Sequence, residues 1–247
     1  IPEIRFNKNP PFGSDFNPSP VPLPESEPDS FSSDLEYGFA LTGIFPGWDI
    51  SFHGLRYWDD LAILNPTLSG LLHSQLWMLG GGGNYTIGSW LLKTELAYID
   101  GFRFPRVISP LPLVVVFEER SRLDFMAGIE YYGINDWQFA LEIANRHLFD
   151  FSPFMRSFPN FAQENALETA LRVTASFMNS RLQVTGLAIL LGARAQDGSI
   201  VRLSGSYALR DALNLEGGIL LFQSGDSLLL QSFGRNDRLF LELKYSF

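Results

Sequence analysis

The chain has 247 residues, of which 46% are hydrophobic, 14% are aromatic and none is cysteine, and its formal net charge is −9. The absence of cysteine excludes disulfides, thiolate metal ligands and cysteine nucleophiles. The acidic balance argues against a nucleic-acid partner, because phosphate contacts need a basic surface. No apolar run reaches the length of about 18 residues that a transmembrane helix needs, so the hydrophobic content is dispersed along the chain.

Residues 1–32 are rich in proline. They hold Pro2, Pro10, Pro11, Pro18, Pro20, Pro22, Pro24 and Pro28, with Ser, Asn, Asp and Glu between them. Proline has no N–H for a strand ladder, so we expect an extended loop or linker. No basic and apolar leader precedes it, so we expect that a leader has been removed or that the chain begins later than its gene.

From residue 33 onward, apolar and polar residues alternate in eleven segments. This period of two is typical of strands. The predicted strands are 34–45, 48–58, 75–87, 89–101, 121–133, 136–148, 167–179, 181–193, 200–210, 213–224 and 237–247. Each has about ten to thirteen residues, the length that a tilted strand needs to cross an outer membrane.

The last segment shows the pattern most clearly. Leu239, Leu241, Leu243 and Tyr245 fall on one side, whereas the other side is mostly charged. A strand with lipid on one flank and a polar lumen on the other needs this alternation. The sequence therefore predicts an all-β fold, a transmembrane antiparallel up-and-down β-barrel over residues 33–247. The terminal Phe247 resembles the signature by which the barrel assembly machinery recognises such proteins.

The connections between predicted strands alternate in length. Short turns and longer loops alternate along the chain. The short turns are at 46–47, 88–89, 134–136, 179–180 and 211–212, and the longer loops are at 59–74, 102–120, 149–166, 194–199 and 225–236. Outer-membrane barrels have short periplasmic turns and long outer loops. We therefore expect residues 1–32 outside the cell. Because single-chain bacterial barrels have an even strand number, we expect twelve or more strands, completed by Ile1–Asn7, by a missing upstream segment or by another chain.

Aromatic residues recur beside the short turns. Such residues form the interface girdles of membrane barrels. The predicted periplasmic girdle is Trp48, Tyr85, Trp90, Tyr131, Trp137, Tyr207, Tyr245 and Phe247, with Phe177 in an equivalent place.

The opposite sides of the strands carry charges of both signs. The predicted lumen-lining residues are Glu36, Asp49, His53, Lys93, Glu95, Arg122, Asp124, Glu130, Glu142, Arg146, Arg172, Arg202, Arg210, Glu216, Arg238, Glu242 and Lys244. Isolated charges in a narrow interior are costly, so a balanced set predicts cross-strand ion pairs. These pairs could brace or fill the interior, or they could line a permeation path.

Three residues of one segment, Asp49, Ser51 and His53, have the side chains of a hydrolase triad. Residues two apart on a strand are separated by about 6.5–7 Å, whereas a triad needs contacts of about 2.6–3.2 Å. We therefore expect polar lining there and no catalytic residue. The scattered histidines do not form a metal site. The glycine run 80–83 lacks the Lys-Ser/Thr of a phosphate loop, so we expect no cofactor.

Three predicted loop segments are unusually apolar, namely residues 61–72, 102–117 and 228–233. Exposed apolar surface tends to mark a partner, a membrane or a hydrophobic ligand. These segments could also fold inward as a plug, or extend the strands.

Several short motifs resemble a proteobacterial family of outer-membrane barrels, domain of unknown function 1302. They are Glu36-Tyr37-Gly38, Pro46 to Ser51, Gly88 to Lys93 with Glu95 to Tyr98, Gly128 to Gly133, Asn145-Arg146-His147 and Asn236 to Phe240. The resemblance covers residues 34–247, and such members are typically longer at the N-terminus. It implies a barrel encoded near RND-type exporters that handles hydrophobic compounds, and it supplies no catalytic residues.

The sequence thus favours a channel or transport component for hydrophobic or amphiphilic compounds in the bacterial outer membrane. An alternative is a structural barrel of an envelope complex with a filled lumen and partner-binding loops. A third is a lipid-hydrolysing barrel. The expected partners are outer-membrane lipid, the assembly machinery through Phe247 and envelope proteins at the apolar loops.

Overall fold

A computed structural model describes residues 24–26, 34–67, 69–110, 113–157, 159–210, 212–226, 234 and 236–246. The described chain is built from strands, with one short 3-10 helix at Pro153–Arg156. The strands are β1 (Glu25–Ser26), β2 (Tyr37–Phe45), β3 (Trp48–Trp58), β4 (Ile63–Leu64), β5 (Leu71–Leu72), β6 (Gln75–Ile87), β7 (Trp90–Pro110), β8 (Leu113–Ile134), β9 (Trp137–Leu148), β10 (Asn165–Phe177), β11 (Leu182–Leu191), β12 (Gly198–Arg210), β13 (Leu213–Gln223) and β14 (Arg238–Tyr245).

One antiparallel sheet of eleven strands contains all the predicted strands. Its order is β14-β13-β12-β11-β10-β9-β8-β7-β6-β3-β2, so that each long strand pairs with its neighbours in sequence. The eleven strands and their order as a meander are therefore confirmed. Within the described residues the sheet is not closed, and β2 and β14 form its two edges.

The turns fall at two ends of the sheet, as predicted. Residues 46–47, 88–89 and 135–136 form short turns at one end, here called the short-turn end. The turn between β10 and β11 is wider than the predicted 179–180, because Met178, Asn179 and Ser180 all have a positive φ. The β12–β13 hairpin also turns at the short-turn end, since Arg210 pairs with Leu213. The remaining connections between the long strands lie at the opposite end, here called the long-loop end.

The predicted loop 102–120 is instead a continuation of β7 and β8. Residues up to Pro110 pair with residues from Leu113 onward. Of the alternatives for this apolar segment, strand extension is the one that the structure contains. Two register shifts, at Asp100/Phe102 and Val107/Ser109, interrupt the alternation, and Gly101 at the first shift has φ 103°. Such bulges bend a strand.

A second, small sheet combines β4 and β5, which lie between β3 and β6 along the chain, with β1, which precedes β2. It has the order β1-β5-β4, and β1 pairs with β5 in parallel. The predicted loops 59–74 and 1–32 therefore contain short strands, which corrects their description as loops alone. Residues 1–23, 27–33, 227–233 and Phe247 lie outside the described residues, and with them most of the predicted linker, one apolar segment and the terminal girdle residue.

Buried apolar side chains are few, because one layer of sheet has no second layer to pack against. Among the described residues they include Leu76, Ile99, Leu148 and Met155, toward the long-loop end. Leu148 is the last residue of β9, and Met155 in the 3-10 helix is completely buried. The described part contains no helix that is long and apolar enough to cross a membrane.

Candidate functional site

The sheet has two unlike faces, and the candidate site is the one that carries the charges, here called the polar face. Its centre is Glu130, whose side chain is 4% exposed. The Glu130 carboxylate forms an ion pair with Lys93 of the neighbouring strand and accepts hydrogen bonds from the Tyr132 hydroxyl and, at 3.1 Å, from Gln138 Nε2. Arg172 Nη2 lies 3.8 Å away, two strands along. A buried carboxylate requires such partners.

Further charged pairs cross the polar face on either side of Glu130. Arg146 Nη1 lies 3.0 Å from Glu168 across β9 and β10. At the β14 edge, Glu216 pairs with Lys244 at 2.9 Å and with Arg202 at 3.4 Å. These contacts confirm the expectation of cross-strand ion pairs.

Glu242 and Glu142 are held less closely. Glu242 lies directly opposite Glu216 in the register and shares Lys244 with it at 3.4 Å. Glu142 lies 3.6 Å from Lys93. Arg122 and Asp124 pair along one strand, at 2.7 Å, and not across two.

The remaining predicted lumen residues make other contacts. Glu36 accepts a hydrogen bond from the backbone N–H of Trp58 at 2.9 Å. Glu95 and Arg238 form no ion pair with the described residues. A register shift between Ala208 and Arg210 places Arg210 opposite Leu213, where strict alternation no longer applies.

Sequence analysis missed Tyr132 and Gln138 as partners of Glu130. Both lie at even positions, on the same side of β8 and β9 as the charged residues. The signal was present, since a neutral polar residue on a charged strand face is a candidate for hydrogen bonding. The register between β8 and β9, which brings the two residues to one carboxylate, was not available from alternation alone.

A furrow of about 410 Å³ runs along the polar face over β6. Its floor is the glycine run, because Gly80 and Gly82 present no side chains there. A Cβ on Gly82 would lie 2.8 Å from the Thr94 carbonyl oxygen, so the close strand approach depends on glycine. The walls include Asp49 and His53 from β3 and Glu95 from β7.

Ser51 and His53 come into contact on one wall of this furrow. His53 Nε2 lies 3.1 Å from Ser51 Oγ, so the expectation that residues two apart on this strand stay out of reach is wrong for this pair. The side chains lean along the strand toward each other. Asp49 does not complete a triad, because Asn84 Nδ2 donates to its two oxygens at 3.0 and 3.1 Å.

No group of three or more His, Asp or Glu side chains that could hold a metal ion occurs in the described part of the chain.

The other side of the sheet, here called the apolar face, leaves large hydrophobic side chains exposed. Leu171 in the middle of the sheet is 47% exposed and Leu203 is 52% exposed. Cross-strand register rows on this face are almost wholly apolar, as in the row Trp48, Tyr85, Leu92, Ile129, Leu141, Leu171, Ala188, Val201 and Leu221.

Aromatic side chains meet one another at the short-turn end of the apolar face. The ring centroids of Trp90 and Tyr131 are 4.3 Å apart, and those of Trp137 and Phe177 are 6.1 Å apart. Trp48 stacks on Phe45 at 4.1 Å. Tyr85 pairs with Trp48 in the register, and Arg181 lies over the Tyr207 ring. Sequence alternation thus placed these residues at one end of the sheet.

Polar residues bound the apolar face at the long-loop end. On six of the eleven strands a polar residue lies near the long-loop end of this face, namely Arg56, Gln75, Asp100, Ser121, Asn165 and Ser199. On β6 the apolar stretch runs from Ile87 to Trp77. Ten residue steps of about 3.3 Å give this stretch a length of about 33 Å.

No family model matches the chain, and no curated protein matches it significantly. The resemblance to domain of unknown function 1302 therefore stays a prediction that rests on the motifs quoted above.

Proposed function

We propose that the chain forms the wall of an outer-membrane β-barrel, with the apolar face toward lipid and the polar face toward the interior. The observation that carries this proposal is the exposed apolar face, bounded by aromatic residues at one end and polar residues at the other. At the tilt of about 40° that strands of outer-membrane barrels have, its length of about 33 Å would span about 25 Å, the height of their lipid-facing band. An exposed apolar surface of this extent would be a liability in water.

Closure of the sheet is part of the proposal. Eleven antiparallel strands leave β2 and β14 running in the same direction. An odd number of further strands between these edges would close the sheet with antiparallel pairs throughout. Closure would also satisfy the backbone N–H and C=O groups of both edges, as a membrane interior requires.

The function that we propose is passage of hydrophobic or amphiphilic compounds through this wall or its interior. The furrow over the glycine run supports it, because it joins polar walls to a bare backbone floor large enough for a small amphiphile. Pocket volumes of about 300–1,000 Å³ are usual for small ligands, and the furrow has about 410 Å³.

Single-channel recording in planar bilayers tests this function. We expect stepwise current from the protein. Ala97 lines the furrow opposite Gly80 in the register, so Ala97→Phe should fill the furrow and lower the conductance. Ala127→Phe adds the same volume on the apolar face and should leave the conductance unchanged.

A structural barrel is the second candidate, and the ion pairs around Glu130 favour it. Paired charges that span four strands would brace a wall with a filled interior. Silent bilayers, from protein that has inserted and keeps its strand content, would support this candidate and contradict passage.

A further inference from the structure

The apolar face carries one cation, Arg56, among the regularly paired positions of the described strands. Its guanidinium carbon lies 5.3 Å from the ring centroid of Trp77 and 5.8 Å from that of Tyr37, its two register neighbours. Nη2 donates to Gln75 Oε1. Nε is buried and has no acceptor among the described residues, which leaves a costly unmet donor.

An apolar groove of about 350 Å³ begins next to this cation. Tyr37 and Trp77 border both the cation and the groove, which continues toward the short-turn end between Phe39 and Leu79. Gly54 makes room for the Phe39 ring that borders the groove, since a Cβ at Gly54 would lie 2.3 Å from that ring. A cation at the head of an apolar groove has the chemistry of a site for an anionic amphiphile.

Asp100 lies on the far side of Trp77 and also lines the groove. It is two strands away from Arg56, a separation of about 10 Å at about 4.8 Å per strand. Its carboxylate repels an anion, so an anionic group would be confined to the Arg56 side of Trp77.

We propose that this place binds a phosphate-bearing acyl lipid of the outer leaflet. The phosphate would accept hydrogen bonds from the terminal nitrogens of the Arg56 guanidinium, and one acyl chain would lie in the groove. Guanidinium groups bind phosphate through two parallel hydrogen bonds, and the level of Arg56 at the polar edge of the apolar face is where lipid phosphates lie. This inference rests on the proposed membrane position.

Native mass spectrometry in dodecyl maltoside, a detergent without phosphate, tests the inference. The protein receives equal amounts of dioleoyl phosphatidylglycerol and a chain-matched uncharged glucosyl diacylglycerol. We expect about tenfold more bound phosphatidylglycerol, the ratio that about 1.4 kcal/mol produces. Arg56→Gln should bring the ratio near one. Arg202→Gln removes a cation that lies over the Phe240 ring on the polar face, and should keep the preference.

Three further measurements make the result decisive. Circular dichroism establishes that both variants keep their strands. Inorganic phosphate should not compete at equal concentration, because the acyl chain contributes to binding; full competition would overturn the lipid as ligand. Vesicle flotation separates the two proposals: protein that floats but lacks the preference overturns the lipid site alone, and protein that does not float overturns both.

Discussion

At the scale of single residues, alternation predicted which side chains share a face but not which of them meet. Lys93 and Glu130 were both placed with the charged set because of their positions on β7 and β8. Their contact depends on the register between these strands, which the hairpin turn and packing fix. The same limit explains why Tyr132 and Gln138 were missed. Ser51 and His53 were wrongly kept apart for another reason, because the spacing of residues along a strand does not include the lean of their side chains toward each other.

Removal of the Glu130 carboxylate should strongly destabilise the sheet. Glu130→Ala leaves Lys93 and Arg172 without their buried partner, and we expect a loss of about 3 kcal/mol in the free energy of unfolding. Glu142 is the matched control, because its side chain is 43% exposed; Glu142→Ala should cost below about 1 kcal/mol. Urea unfolding in phospholipid vesicles, followed by tryptophan fluorescence, measures both. Equal losses would contradict the central role of Glu130.

At the scale of elements, the sequence predicted all eleven long strands but not the length of the β7–β8 hairpin. Two register shifts break the period of two within residues 102–120, and Pro105 and Pro110 read as loop residues. Beyond Asp100, β8 is the only long strand among those described that pairs with β7. Pro105 therefore has no second long strand on its other side to which a backbone N–H would have to donate. Alternation cannot recognise a strand whose phase changes twice.

Acid should loosen this hairpin. Hydrogen bonds from Arg106 and Arg120 lower the pKa of Glu118, although burial opposes them. A carboxyl group with a lowered pKa stabilises the folded hairpin above its unfolded pKa of about 4.3, and this stability is lost as the pH falls through the folded pKa. Hydrogen exchange of the hairpin amides, corrected for intrinsic rates, should therefore be faster at acid pH than at pH 7.

The variant Glu118→Gln tests whether Glu118 causes this pH dependence of hydrogen exchange. The variant should show fast exchange of the hairpin at both pH values and little dependence on pH. Glu119→Gln changes the adjacent carboxylate, which is 63% exposed and pairs with Arg103, and should keep most of the dependence. A pH dependence that survives in Glu118→Gln would assign it to another group.

At the scale of the whole molecule, the two faces could be predicted because the alternation keeps one phase along each strand. Leu239, Leu241 and Leu243 at the end of the chain share their face with Leu171 in the middle of the sheet. The closed barrel that the sequence analysis expects stays a prediction, because closure depends on strands beyond the eleven that the alternation reveals. The alternation also does not show which groups pair with the backbone N–H and C=O groups of the two edge strands, β2 and β14.

A charge introduced by substitution in the centre of the apolar face tests whether lipid or water surrounds that face. Leu171→Arg should cost about 2–4 kcal/mol of unfolding free energy in phospholipid vesicles, because an arginine at the bilayer midplane is destabilising. Ala170→Arg places the same charge one residue away on the polar face and should cost less. For an exposed leucine in water the substitution would have almost no effect, so an unchanged urea midpoint for Leu171→Arg would contradict the membrane position.

The glycine run of β6 has a mechanical consequence. Gly80 and Gly82 contribute no side chain to the polar face, and Gly81 and Gly83 contribute none to the apolar face at the same level. Only side chains of the neighbouring strands lie against these positions, such as Phe52 at Gly81 and Glu95 at Gly82. Four successive residues of β6 therefore make no side-chain contacts of their own, and bending of the sheet should concentrate along this part of the strand.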